Sequence, residues 1–183
     1  MKRLMTMTLA LALLSAAIPA LADEAAAPSG YLGSFLRDFD DVSKKLDDLA
    51  GAVPADKFGY KPTPEVRSVS EVYIHVVLAN YFLARFLGGE IPAGVSQDME
   101  QTVTAKADVI KALKDSQDFV RATVAKLSAG SLDEEVDFFD GKHPRRDVLL
   151  VLSGHSHEHL GQSIAYARMA GVVPPWSRQQ ASE

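Results

Sequence analysis

The chain has 183 residues, with 19 Lys and Arg against 24 Asp and Glu, giving a formal net charge of −5. That acidic balance leaves no basic footprint for nucleic acid or anionic lipid. Cysteine is absent, which excludes disulfides, thiolate metal ligands, a cysteine nucleophile and an acylated N-terminal cysteine.

Met1-Lys2-Arg3 is a short basic start, and Leu9 to Ile18 is an apolar run broken only by Ser15. Ala20-Leu21-Ala22 then supplies the small-x-small pattern of signal-peptidase cleavage. The apolar part is too short for a comfortable membrane span. Residues 1–22 are therefore expected to be a cleaved signal peptide, exporting the protein to the periplasm or beyond with no stable membrane anchor left. Losing Lys2 and Arg3 takes the formal charge from −5 to −7. Residues 23–30 read as a flexible leader, 31–177 as one domain with a single core, and 178–183 as a tail.

Leu32, Phe35, Phe39, Val42, Leu46 and Leu49 recur at spacings of three and four, which predicts a first amphipathic helix ended by Gly51. Pro54, Pro62 and Pro64 make the next stretch a non-helical connector. Ser68 is placed to cap a second helix, with Glu71 in capping-box position, and that helix runs to Gly88-Gly89. Its inward stripe is Val72, His75, Ala79, Phe82 and Phe86. A longer connection from Glu90 to about Gln101 leads to a third helix, about Val103 to Leu127. Val103, Ala107, Ile110, Leu113, Val120, Val124 and Leu127 form its seam. Asp133 to His143 is acidic and aromatic, with Phe138-Phe139 expected under a loop tip, and Pro144 suits the first turn of a fourth helix ending at Gly171.

The fourth helix carries His155-Ser156-His157-Glu158-His159-Leu160-Gly161-Gln162. At about 100° per residue, His155 and His159 stand one above the other, while His157 lies about 200° from His155. The pair shares its face with Val148, Val151, Leu152, Gln162, Tyr166 and Met169, so it belongs to the apolar stripe. Two imidazoles in a core need partners; either a shared metal ion or neighbouring side chains and water can supply them. With four amphipathic helices and no strand-like alternation, the expected class is all-α, an antiparallel four-helix bundle. Facing helices build metal sites in such bundles, and His75 with His155 and His159 would leave an open coordination position.

Several of these stretches together resemble the DinB family: Arg67 to His75, His155 to Gln162, Tyr166-Ala167-Arg168, Gly171, Pro174-Pro175-Trp176-Ser177, and the Pro54 to Pro62 connector. The resemblance covers roughly Tyr31 to Ser177. It implies a DinB-like four-helix bundle of up-down-down-up order, replacing the simple antiparallel expectation. It further implies that His75, His155 and His159 bind a divalent metal, zinc or nickel foremost, and it allows a homodimer. Gln162 would orient a ligand or a metal-bound water, or else cap a core contact. Glu71 would be an outer-shell carboxylate or base, or else serve only its capping box, and Tyr166 is a catalytic candidate or a core residue. Glu158 reads as a rim residue, His143 and His157 as surface or loop residues, and Gly161 as a point of close helix approach. Relatives of this family include thiol-dependent S-transferases and hydrolases without a known substrate. Export favours the hydrolase, because reduced low-molecular-weight thiols are a cytoplasmic supply. The alternatives are a thiol-dependent S-transferase and a non-catalytic metal- or ligand-binding envelope protein.

Overall fold

The computed structural model describes residues 29–180. The expected signal peptide, residues 1–22, lies outside the described residues. The structure is mostly helical, and the first helix, α1 (Gly30–Ala52), buries the anticipated stripe of Leu32, Phe35, Phe39, Val42, Leu46 and Leu49. Its outer face carries Lys45–Asp41 and Lys44–Asp48 pairs four residues apart. Pro54 prevents continuation, and one 3₁₀ turn at Ala55–Lys57 lowers Phe58 into the core against Tyr73. The connector is tied to the next helix by Val69 N–H to Tyr60 O and Ser70 N–H to Phe58 O.

Helix α2 (Val69–Ala84) opens on the Ser68/Glu71 capping box. It has no solvated side: Val72, Tyr73, Ile74, Val76, Val77, Leu78 and Leu83 are all buried. The one-sided stripe expected here is therefore corrected. Ala79, Phe82 and Phe86 are only half-buried, because Ala79 and Phe82 line the cleft beside His75 and Phe86 lines another against the Phe138-Phe139 segment, while α4 and α5 cover the rest of α2. A 3₁₀ turn at Arg85–Leu87 prolongs it to Gly88, which is left-handed at φ +94°. Gly89 is the true close approach, since a Cβ there would stand 2.7 Å from the Phe119 ring. Gly161 has open space around it, so its expected role is not found.

The connection after Gly88 holds one short turn of helix, α3 (Met99–Thr102). Helix α4 (Lys106–Val124) is shorter than expected, and its seam is Val109, Leu113, Ser116, Gln117, Val120 and Val124. Ala107 is exposed and Ile110 half-buried, since Val109 takes the inward position. Polar side chains also enter this seam: Asn80 donates to Ser116 at 3.0 Å and Gln117 to Asp47 at 3.1 Å.

The absence of strands is corrected by a hairpin, β1 (Glu135–Phe138) and β2 (Gly141–Pro144), paired antiparallel with Val136 opposite His143. Four residues per strand are too few for alternation to be read from sequence. Phe138 packs edge-on against Phe86 at 5.0 Å and is buried, whereas Phe139 is exposed. Helix α5 (Arg145–Met169) follows directly, and α6 (Pro175–Gln180) closes the described chain.

The four long helices contact one another in a ring, α1–α5–α2–α4. Helices α1 and α5 run the same way, since Tyr31 bonds Arg146 and, seven residues on, Asp38 bonds Ser153. Asp47 meets Gln117 while Asp40 meets Arg121, so α1 and α4 run oppositely. Helix α2 also opposes α5: His75 faces His155 while Phe82, two turns later, shares a cavity wall with Val151. No helix of the described residues is long and apolar enough to cross a membrane.

Met169, expected in the core, is 61% exposed at the end of α5, beyond the reach of its neighbours. Leu152, 1% exposed, is central. Urea unfolding should therefore show Leu152→Ala losing about 2–5 kcal/mol, with Met169→Ala within about 0.5 kcal/mol of the parent.

Candidate metal centre

His75 enters from α2 and His155 and His159 from α5; each offers one ring nitrogen, and these all lie within 4.8 Å of one another. The Nε2 atoms of His75 and His155 are 3.2 Å apart, within the 3–3.5 Å expected of ligands sharing a zinc-sized ion. The complete set is looser than that.

The opposite edges of two rings are clamped. Nδ1 of His75 lies 3.0 Å from a Glu100 carboxylate oxygen, so it carries the proton and donates. Arg67 holds the other oxygen of Glu100 at 3.0 Å. Nδ1 of His159 lies 2.8 Å from Oε1 of Gln162, whose amide donates to the Tyr166 hydroxyl at 3.2 Å. Each clamp leaves an Nε2 lone pair turned toward the cluster. His155 has no such clamp: its Nε2 either donates a proton to the His75 lone pair at 3.2 Å or, with the proton on Nδ1, turns a second lone pair toward it that a cation would have to bridge. Metal-ligating histidines ordinarily carry such outer partners, and this donor set fits a divalent ion.

Burial, more than any neighbour, pushes His155 down to about 4, with the imidazoles of His159 and His75 and the charge of Arg67 acting the same way. Burial also lowers His75, against the upward pull of its Glu100 hydrogen bond. At neutral pH both rings are uncharged, the state in which imidazole ligates.

His157 points away as expected, its Nε2 3.0 Å from Asp38 on α1. His143 sits on β2 beside Asp140. Glu71 stays with the backbone of Ser68 and with Lys61, and these hydrogen bonds hold its carboxyl below the usual range. Gln162 and Tyr166 form the clamp behind His159, and Tyr166 is buried. Glu100 was not anticipated: it lies in what reads as a loop, and a single helical turn carries no periodicity to betray it.

Two cavities flank the cluster. On one side, an open cleft of about 300 Å³ is lined by His75, His155, the apolar Leu78, Ala79, Phe82, Leu83, Phe139 and Val151, and the exposed Gln97. On the other, about 470 Å³ is lined by Lys61, Arg67, Glu71, Glu100, Gln101 and Gln162 among others.

Residues 38–163 match the sequence profile of the DinB superfamily. The chain belongs to the DinB superfamily. Among solved structures, a DinB-like protein from Bacillus cereus superposes with a TM-score of 0.64 at 20% identity, over 77% of this chain and 93% of that one. A DinB-like protein from Bacillus subtilis gives 0.61 at 19%, over 75% and 92%. A mycothiol-dependent maleylpyruvate isomerase variant gives 0.58 at 16%, over 73% of this DinB chain and 62% of its own. No curated protein matches.

Nitrogen-15 NMR of the metal-free protein should place the His155 midpoint at about 4, so the ring stays neutral above that pH and charges below it. Glu100→Gln should move the His75 midpoint further down, because the carboxylate favours the charged ring.

Proposed function

We propose that this DinB-superfamily protein is an exported metal-dependent hydrolase whose divalent ion is held by His75, His155 and His159. The observation that supports it is the convergence of three imidazoles, two with their far nitrogens tied back by Glu100 and Gln162. We also infer that the four long helices form the family's up-down-down-up four-helix bundle. The contact directions support this: α1 and α5 run one way, and α4 and α2 the other.

An ion such as zinc supplies Lewis acidity at the centre and brings the pKa of a water near 7. The chain's own residues prepare the place. Glu100 keeps the proton of His75 on Nδ1 and fixes the ring; Arg67 holds Glu100 in register. Gln162, steadied by Tyr166, does the same for His159. His75 retains partial exposure, so a substrate has access from the cavities.

A thiol-dependent S-transferase is the second reading. The polar cavity beside Glu100 and Gln162 would accommodate a polar thiol, and the likeness in fold to a mycothiol-dependent isomerase favours it. Turnover of ester and amide panels by metal-loaded protein, with and without added low-molecular-weight thiol, separates the two. Thiol-independent hydrolysis supports the first, strict thiol dependence the second, and no turnover in either arm leaves a metal-binding envelope protein.

His155→Ala and His159→Ala should lose the bound metal in elemental analysis while keeping their helical circular dichroism; His157→Ala should retain both. Glu100→Gln should weaken zinc binding by about 10–100-fold in a competition titration. Cell fractionation should recover a form starting at Asp23 outside the cytoplasm.

A further inference from the structure

The α2/α5 groove leading away from the histidines has a graded lining. Its polar end is His75 and His155; its walls are Leu78, Ala79 and Leu83 from α2 and Val151 from α5; its far end is Phe82 and Phe139; exposed Gln97, from the connection after α2, adds one polar side chain to an otherwise apolar lining. His75 and Phe82 are seven residues apart on one helix, which sets the length at roughly 10 Å, at about 1.5 Å per residue. The volume, about 300 Å³, falls at the small end of ligand sites. Phe82 is a fixed wall: the Arg85 guanidinium lies 4.2 Å from its ring centroid and Phe86 meets it edge-on at 5.4 Å. Ala79 is the smallest side chain on the lining, and its size keeps the groove open.

The far end is formed at a cost. Phe139 opens the two-residue loop of the hairpin at φ +41°, a left-handed conformation that a bulky residue resists and that glycine ordinarily takes at this position. Its ring is 70% exposed, with its centroid 5.9 Å from that of Phe82. Val151, on the opposite helix, is 39% exposed. Glycine would suit the turn better, and a polar residue would suit the water. A strained, exposed aromatic beside a cavity is accounted for when something apolar in that cavity covers it.

We propose, resting on the metal-site reading above, that this groove binds the apolar arm, a short acyl chain or aryl group, of a substrate whose polar head sits at His75 and His155. Phe139 closes the groove and limits the length of the arm. The substrate class is thus a small amphiphile with one metal-seeking end, rather than a sugar, nucleotide or peptide backbone.

Calorimetric titration of the zinc-loaded protein with acetohydroxamate and with hexanohydroxamate reads the two ends separately. The longer chain should bind at least tenfold more tightly. Ala79→Phe, which fills the groove, should abolish that gain with zinc content unchanged. Phe139→Gly, which relieves the turn and so keeps the fold, should reduce the gain several-fold. Equal affinity for the two hydroxamates, or a gain that survives both substitutions, overturns the proposal. If no zinc is bound, the neutral fluorophore N-phenyl-1-naphthylamine replaces the hydroxamates on metal-free protein. Binding that Ala79→Phe removes then upholds the apolar subsite while the metal reading fails; binding that is absent, or indifferent to Ala79→Phe, overturns the subsite itself.

Discussion

Helix α2 lies against α5 in the opposite direction with almost no rotational freedom, and the candidate centre depends on that contact. Ile74 and Val76, on either side of His75, are both fully buried, as are Tyr73 and Val77. Turning α2 by one residue would drive an imidazole into a dry core and leave an isoleucine or valine at the cavity. Burying an unpaired polar group costs about 1–3 kcal/mol on mutational scales, and exposing a buried aliphatic side chain costs about 1.5–3 kcal/mol more. The hydrophobic neighbours thereby determine which way His75 faces. The α5 pair needs no such help, since its spacing alone aligns it.

The polar partners come from elsewhere in the chain. Glu100 belongs to a one-turn helix in the connection between α2 and α4, and Arg67 to the residue before the α2 cap. Two connecting segments therefore converge on one histidine. Gln162 and Tyr166 follow His159 on the same face of α5 and restrain it from within its own helix. Restraint from both sides leaves the inner nitrogens preorganised, so little ordering remains when a ligand binds.

The flanking cavities differ in chemistry, one apolar and one lined with charge, and the three histidines sit between them. Membership of the DinB superfamily accounts for the scaffold, and the solved relatives at 16–20% identity share its fold. A fold hosts many chemistries, so the discriminating features are local: the clamps on the imidazoles and the strained Phe139 at the far end of the groove.

Local periodicity in the sequence was enough to determine the stripe of α1, the capping box of α2, the alignment of His155 with His159 and the outward turn of His157. Each follows from helical pitch or from a hydrogen bond between residues three apart. The same reasoning misplaced Met169 and Ala107, since a stripe records which side is apolar but not where the neighbouring helix ends. It missed Glu100 because a single turn in a long connection carries no period, and the hairpin because four-residue strands are shorter than the signal. It also took the side of His75, Ala79, Phe82 and Phe86 as the inward face of α2, when that side lines the clefts and is the least buried part of a helix otherwise packed against α4 and α5. Only the tertiary structure decided that α2 would lie between those two helices, that Glu100 would reach Nδ1 of His75, and that Phe139 would stand at the end of the groove. Those contacts join residues far apart in the chain, and packing, not local spacing, brings them together.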